Sequence, residues 1–184
     1  MSLYTGKGDD GTTTTFSCDQ RISKSSAITE ALGSLDEINS FLGICKVLSQ
    51  KENLYLENDL KISSLIHSIQ NDLFTVQAEV AGADKNTEGK RIAWLEMIIS
   101  EIEKELPPIK SFLISGGSEL SSSLDFARTL VRRAERRVVA VHEEKIQKIS
   151  KNTLIYLNRL SSLFYVLVRF VNLKKGQKET KPRY

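Results

Sequence analysis

Five arginines fall within ten residues of one stretch: Arg128, Arg132, Arg133, Arg136 and Arg137, with Glu135 among them. Guanidinium groups at that density suit a polyanion, because each offers several donors in a fixed plane and stays charged. Arg128, Arg132 and Glu135 recur at three- and four-residue steps, beside an apolar stripe of Leu120, Leu124, Ala127, Val131, Ala134, Val138 and Val141. On a helix, this spacing holds them at the edge between core and solvent. Gly116-Gly117 stands just before that helix, and serines fill its first turns, so another group can approach the helix start closely. The competing reading is a solvated basic face, with Arg132 and Arg136 as i,i+4 neighbours.

A second segment opens the chain, Tyr4-Thr5-Gly6-Lys7-Gly8-Asp9-Asp10-Gly11, followed by four threonines and Phe16. Its glycines let backbone N–H groups converge on an anion, and Lys7 and the hydroxyls add donors. The Gly6 to Gly11 spacing nearly fits a P-loop, but Thr12 stands where that motif needs lysine and no apolar strand precedes it. A flexible polar terminus is the alternative. A third group, Asn158, Ser162, Tyr165 and Arg169, lies along one helical side, where a satisfied asparagine at the core edge is the plainer reading. Asp36-Glu37 is either functional or a charged face near a helix start. His67 and His142 lack the glutamate three residues earlier that a di-iron bundle needs, and Cys18 and Cys45 have no metal-ligand spacing.

Long amphipathic helices must position these residues. The periodicity predicts helices from Ser25 or Ser26 to about Leu48, from Asn58 or Asp59 to Gly82, and from about Gly89 to Leu106 before Pro107-Pro108. The arginine helix and a last helix over roughly Asn152 to Leu173 follow. Only Thr12 to Phe16 reads as a strand. Short links between such helices imply an all-α, five-helix antiparallel bundle. The chain, 184 residues long, reads as one domain, with a 1–24 N-terminal segment, a 25–173 bundle and a flexible 174–184 tail. A net charge of +3 is too weak to argue for nucleic acid. The apolar run LFYVLVRFV is interrupted by Arg169, well short of the ~20 residues of a membrane span. No secretory signal core is visible, so a cytoplasmic protein is expected.

Together the segments YTGKGDDGTT, EALGSLDEINSFLG, FLISGG, ARTLVRRAER and YLNRLSS resemble, in order and spacing, the signatures of PduO-type ATP:cob(I)alamin adenosyltransferases. The resemblance implies a cobalamin adenosyltransferase-like, ferritin-like up-down bundle that assembles as a homotrimer with active sites between subunits. It implies ATP and Mg²⁺ as cofactor chemistry and cobalamin as the second substrate. On that likeness ATP contacts Thr5, Gly6, Lys7, Gly8, Thr13, Thr14 and Lys24, the run Arg132, Arg133, Ala134, Glu135 and Arg136, and Asn158. Phe112, Arg159 and Ser162 face the corrinoid, with Phe112 displacing the lower axial ligand of cobalt. Phe112 and Arg132 carry the catalytic roles, and Asp36 pairs with Arg128 across the subunit interface.

The resemblance names no protein ligand for the metal. It implies a reductase and an adenosylcobalamin-dependent enzyme as possible partners, with neither nucleic acid nor membrane among them. Ser115, Ser162 and Asp125 depart from the family's usual proline, aspartate and histidine. A non-catalytic nucleotide- or cobalamin-binding module on the same bundle is the alternative.

Overall fold

The structure, a computed structural model, describes residues 4–16 and 18–184, without the side chains of Cys18, Asp19 and Asn58. Two short strands, β1 (Thr12–Thr15) and β2 (Cys18–Ser23), precede helices α1 (Ala27–Glu52), α2 (Ile62–Val80), α3 (Gly89–Glu105), α4 (Glu119–Glu143) and α5 (Lys151–Lys174). In cross-section the helices neighbour one another in the order α2, α1, α4, α5, α3. Arg91 of α3 closes the ring by reaching Asp72 of α2 through Nε, at 2.9 and 3.0 Å, and Nη2 at 2.6 Å. Directions alternate along the chain, so α4 runs antiparallel to both α1 and α5.

The core is built from the helices' apolar stripes. Leu35, Ile38 and Leu42 of α1, Leu65, Ile69 and Leu73 of α2, Leu124 and Val131 of α4, and Phe164 and Leu167 of α5 are essentially inaccessible to water, as is Phe170, which the periodicity did not place inward. Each such side chain contributes about 1.5–3 kcal/mol on burial. α5 is long and apolar enough to resemble a membrane span, but two-thirds of that stretch is buried in the bundle (67%). Burial pushes the Cys45 thiol up to about 12. It also holds the Tyr156 phenol well above its ordinary value, and the Asp72 carboxylate that accepts its O–H at 2.7 Å adds to the effect.

Three local features differ from the periodicity. α2 starts at Ile62, with Lys61 at the N-cap position and no side-chain capping bond, rather than at Asn58 or Asp59. Residues 53–61 instead close on themselves, with Leu56 N–H donating to Leu60 O at 2.9 Å and Ile62 N–H to Leu54 O at 3.2 Å, which buries Leu56. The side chain of Asn58 lies outside the described residues. Gly82 does end α2 as predicted: with φ at +96°, it donates to Glu79 O while Ala83 donates to Ala78 O, the paired closure that favours glycine. β2 has only Ile22 as a large apolar residue and escaped the pattern.

The tail is the third difference. Gly176 turns it back (φ +64°), Gln177 N–H donates to Asn172 O at 2.9 Å, and residues 177–180 lie along the loop between α3 and α4. At the opposite end, the buried Glu79 of α2 accepts the Ser150 N–H at 2.6 Å and the Thr153 hydroxyl. A carboxylate from one helix thereby caps the first turn of another, where N–H groups lack partners within the helix.

Candidate active site

α4 lies between α1 and α5, and its five arginines divide by flank. Toward α1, Arg133 pairs with Glu37, and Arg137 with Glu30 at 3.3 Å. Toward α5, Arg128 bonds Asp125 of its own helix at 2.6 Å. Arg132 and Arg136 have no ion-pair or hydrogen-bond partner among the described residues, and both line one depression with Glu135, Val139 and Asn158. Asn158 donates to Glu135 at 3.0 Å and accepts from Arg159 at 2.9 Å, while Arg159 Nε reaches Glu96 of α3 at 2.8 Å. Two cations are thus free to bind an anion, beside an asparagine whose orientation is fixed from both sides. Ala134 is fully buried, so its side chain offers nothing to a ligand.

This depression continues along the α4–α5 seam. Arg132 is shared with a middle section lined by Arg128, Ser162, Tyr165, Ile99 and Glu103. Arg128 and Tyr165 are shared in turn with an end section under residues 113–117. The result is one groove, with free cations at one end and the loop carrying Phe112 at the other. The Phe112 ring is 80% exposed despite its size. Loop geometry demands the Gly-Gly pair: both residues have φ above +130°, and a Cβ on Gly117 would lie 2.1 Å from Asn172 Oδ1. Ser118 then caps α4 by accepting from Ser121 N–H at 3.2 Å.

The N-terminal segment forms a compact turn on the other flank. Gly6 and Gly11 take left-handed φ values of +68° and +79°. Gly8 packs so tightly that a Cβ would meet Lys24 Nζ at 3.0 Å and Thr12 O at 3.2 Å. Lys24 Nζ donates to Gly8 O at 2.8 Å. Arg21, which the sequence reading missed, donates to Thr12 O at 2.9 Å, to Thr12 Oγ1 and to Lys7 O. Hydrogen bonds from the Thr12 hydroxyl and then its N–H hold the Asp10 carboxyl below its usual range, with Arg21 adding to them. Thr13 pairs with Ile22 across the hairpin, and the register shifts between Thr13 and Thr15, at Thr14. Lys24 shares a depression with Glu30, Glu37, Arg133 and Arg137, so this segment sits on the α1 side of α4. Thr5, Lys7 and Asp36 are exposed.

A family model described as cobalamin adenosyltransferase matches residues 3–171. The chain belongs to that family. Among cobalamin adenosyltransferases it is 38% identical over 176 residues to the corrinoid adenosyltransferase PduO of Citrobacter freundii, covering 92% of this chain and 49% of that protein. It therefore spans about half the length of the PduO relatives from Citrobacter freundii and Salmonella typhimurium. A corrinoid adenosyltransferase of Bacillus subtilis is 37% identical over 180 residues, covering 96% of this chain and 89% of that protein. The fold matches a phenylalanine-to-alanine variant of a PduO-type ATP:corrinoid adenosyltransferase from Lactobacillus reuteri, complexed with cobalamin and ATP. That match has a TM-score of 0.86 and 30% identity, over 100% of both chains.

Proposed function

We propose that this cobalamin adenosyltransferase family member transfers the 5′-deoxyadenosyl group of ATP to cob(I)alamin, yielding adenosylcobalamin and triphosphate. The observation that carries the reading is the α4–α5 groove, with Arg132 and Arg136, unpartnered among the described residues, beside Asn158 at one end and, at the other, residues 113–117 of the loop that carries the exposed Phe112. The cobalt(I) electron pair forms the cobalt–carbon bond as the 5′ carbon–oxygen bond breaks, and triphosphate leaves with that bond's electrons. The nucleophile comes with the substrate, which suits a site without a nucleophilic triad. The protein's tasks are alignment and stabilisation of charge developing on the leaving group. Arg132 and Arg136 offset that negative charge, and Asn158 orients the nucleotide. Phe112, an apolar ring with no ligating atom, takes the place of the lower axial ligand and so favours reduction of Co(II). Arg159 and Ser162 face the corrinoid.

Among the described residues no cluster of three or more acidic, histidine or cysteine side chains could hold a metal. That suits Mg²⁺ arriving with ATP, its oxygens supplied by triphosphate and water. The N-terminal turn, with Thr5 to Gly8, Thr13, Thr14 and Lys24, sits on the opposite flank of α4 from Arg132 and Asn158. Their joint action on ATP requires the turn of one copy to meet the groove of another. This supports a homotrimer with shared sites, in which Asp36 of one copy meets Arg128 of its neighbour. A cytoplasmic location fits the free, buried Cys45 thiol.

Purified protein mixed with ATP, Mg²⁺ and chemically reduced cobalamin should form a cobalt–carbon bond, followed by visible absorbance. A protein that binds both ligands without releasing triphosphate would be a binding module instead.

A further inference from the structure

We propose that Glu179, in the tail, is a positioning residue for Phe112, acting through Arg169 of α5; the inference rests on the role given to Phe112 above. Arg169 is only 5% exposed, though it carries a full charge. Its Nε donates to Glu179 Oε1 at 2.8 Å, and its Nη2 to Glu179 Oε2 at 3.1 Å and to Pro107 O at 2.9 Å. The guanidinium thus joins two segments that otherwise lie at the surface, the tail and the start of the α3–α4 loop. A buried guanidinium stripped of its carboxylate is strongly unfavourable, so Glu179 both holds the tail down and keeps Nη2 turned toward Pro107.

The residue after Glu179 completes the device. Thr180 O accepts the Ile114 N–H at 2.9 Å, and Asn172 Nδ2 donates to Gly116 O at 3.2 Å. The loop is therefore anchored upstream of Phe112 at Pro107 and downstream at Ile114 and Gly116. Between Pro107 and Ile114 the loop makes no backbone–backbone hydrogen bond among the described residues. Gly116 and Gly117 add backbone freedom of their own. The position of an exposed aromatic ring on such a loop is set by its anchors, and two of the three depend on the tail. A corrin face must meet that ring at van der Waals distance, where a shift of about 1 Å already matters.

The test compares wild type, Glu179→Ala and Glu179→Gln, each as the whole 184-residue chain. Hydrogen exchange at the Ile114 amide, which donates to Thr180 O, should speed up by about tenfold or more in Glu179→Ala, as for loss of a charge-assisted bond, with the helical core unchanged. Glu179→Gln, which keeps one acceptor oxygen, should fall between. With Co(II) cobalamin and ATP bound, electron paramagnetic resonance of Glu179→Ala should show a larger share of cobalt still coupled to its lower axial nitrogen. Nucleotide affinity by calorimetry should stay within about twofold, since the free cations lie at the far end of the groove. Wild-type exchange in Glu179→Ala would overturn the anchor. Faster exchange with an unchanged cobalt spectrum would overturn the positioning role and leave Glu179 as a tail clip. If wild type forms no cobalt–carbon bond, the functional reading fails, and the exchange data still decide the anchor.

Discussion

The two flanks of α4 carry the same residue type to different ends. Toward α1, Arg133 and Arg137 are each matched by a glutamate, and farther along that seam Phe41 meets Phe126 edge to face at 5.1 Å. Toward the groove, Arg132 and Arg136 have no matching charge among the described residues. A matched guanidinium at a surface adds modestly to stability and has little left to offer a ligand. An unmatched one held by a rigid helix adds nothing to the fold and keeps its donors for an anion. The difference lies in the neighbouring helix, not in the arginines.

The largest expected effect concerns the far end of the unmatched flank. Phe112→Ala should slow the reaction that starts from Co(II) by about 100-fold while sparing ATP affinity, measured by coupled assay and calorimetry; equal loss of both would end the division of the groove into two halves. Arg132→Ala should weaken ATP binding by about 1.5–3 kcal/mol, the worth of a charge-assisted hydrogen bond. Unchanged affinity would show that the free charge is not the ATP site.

A fully matched interior charge should read as stability alone. Tyr156→Phe removes the bond to Asp72 and should cost about 1 kcal/mol in urea denaturation without changing kcat. The same residue shapes the alkaline limit. The folded phenol's pKa is raised, so its contribution is complete below the unfolded value of 10.0 and is lost as pH climbs above it. Cys45 behaves alike, its contribution complete below 9.0 and lost by about 12. The alkaline unfolding curve of Tyr156→Phe should accordingly be flatter above pH 10. Smallest of all, Arg137→Ala should cost less than about 1 kcal/mol of stability and leave ATP affinity unchanged. A large loss of affinity would erase the contrast between the flanks.

The helices were legible because long apolar stripes at helical spacing dictate both their existence and their inward face. The Gly116-Gly117 break was legible on a different ground, since a chain that turns sharply before a helix favours glycine at positive φ. Which arginines are matched was not legible. Glu37 and Glu30 lie about a hundred residues before Arg133 and Arg137, and only the α1–α4 contact brings them together. The Arg128–Asp125 bond could have been anticipated from its i,i+3 spacing. Arg21 and Glu179 escaped because each sits in a polar segment without periodicity, where only tertiary contact reveals a task. Thr5, Lys7, Ser162 and the rest of the ATP and corrinoid sets owe their assignment to the family resemblance.

Glu79 has a consequence beyond capping. Because the last turn of α2 supplies the acceptor for the first turn of α5, neither end can fray without stranding the other's polar groups. Thr87, just before α3, joins them through its hydroxyl, which donates to Thr153 Oγ1 at 2.9 Å because the single Thr153 proton goes to Glu79. The α2–α3 connection and the start of α5, distant in sequence, should therefore open as one cooperative unit rather than as separate loose ends, so the end of the bundle remote from the Phe112 loop would behave as a rigid hinge plate.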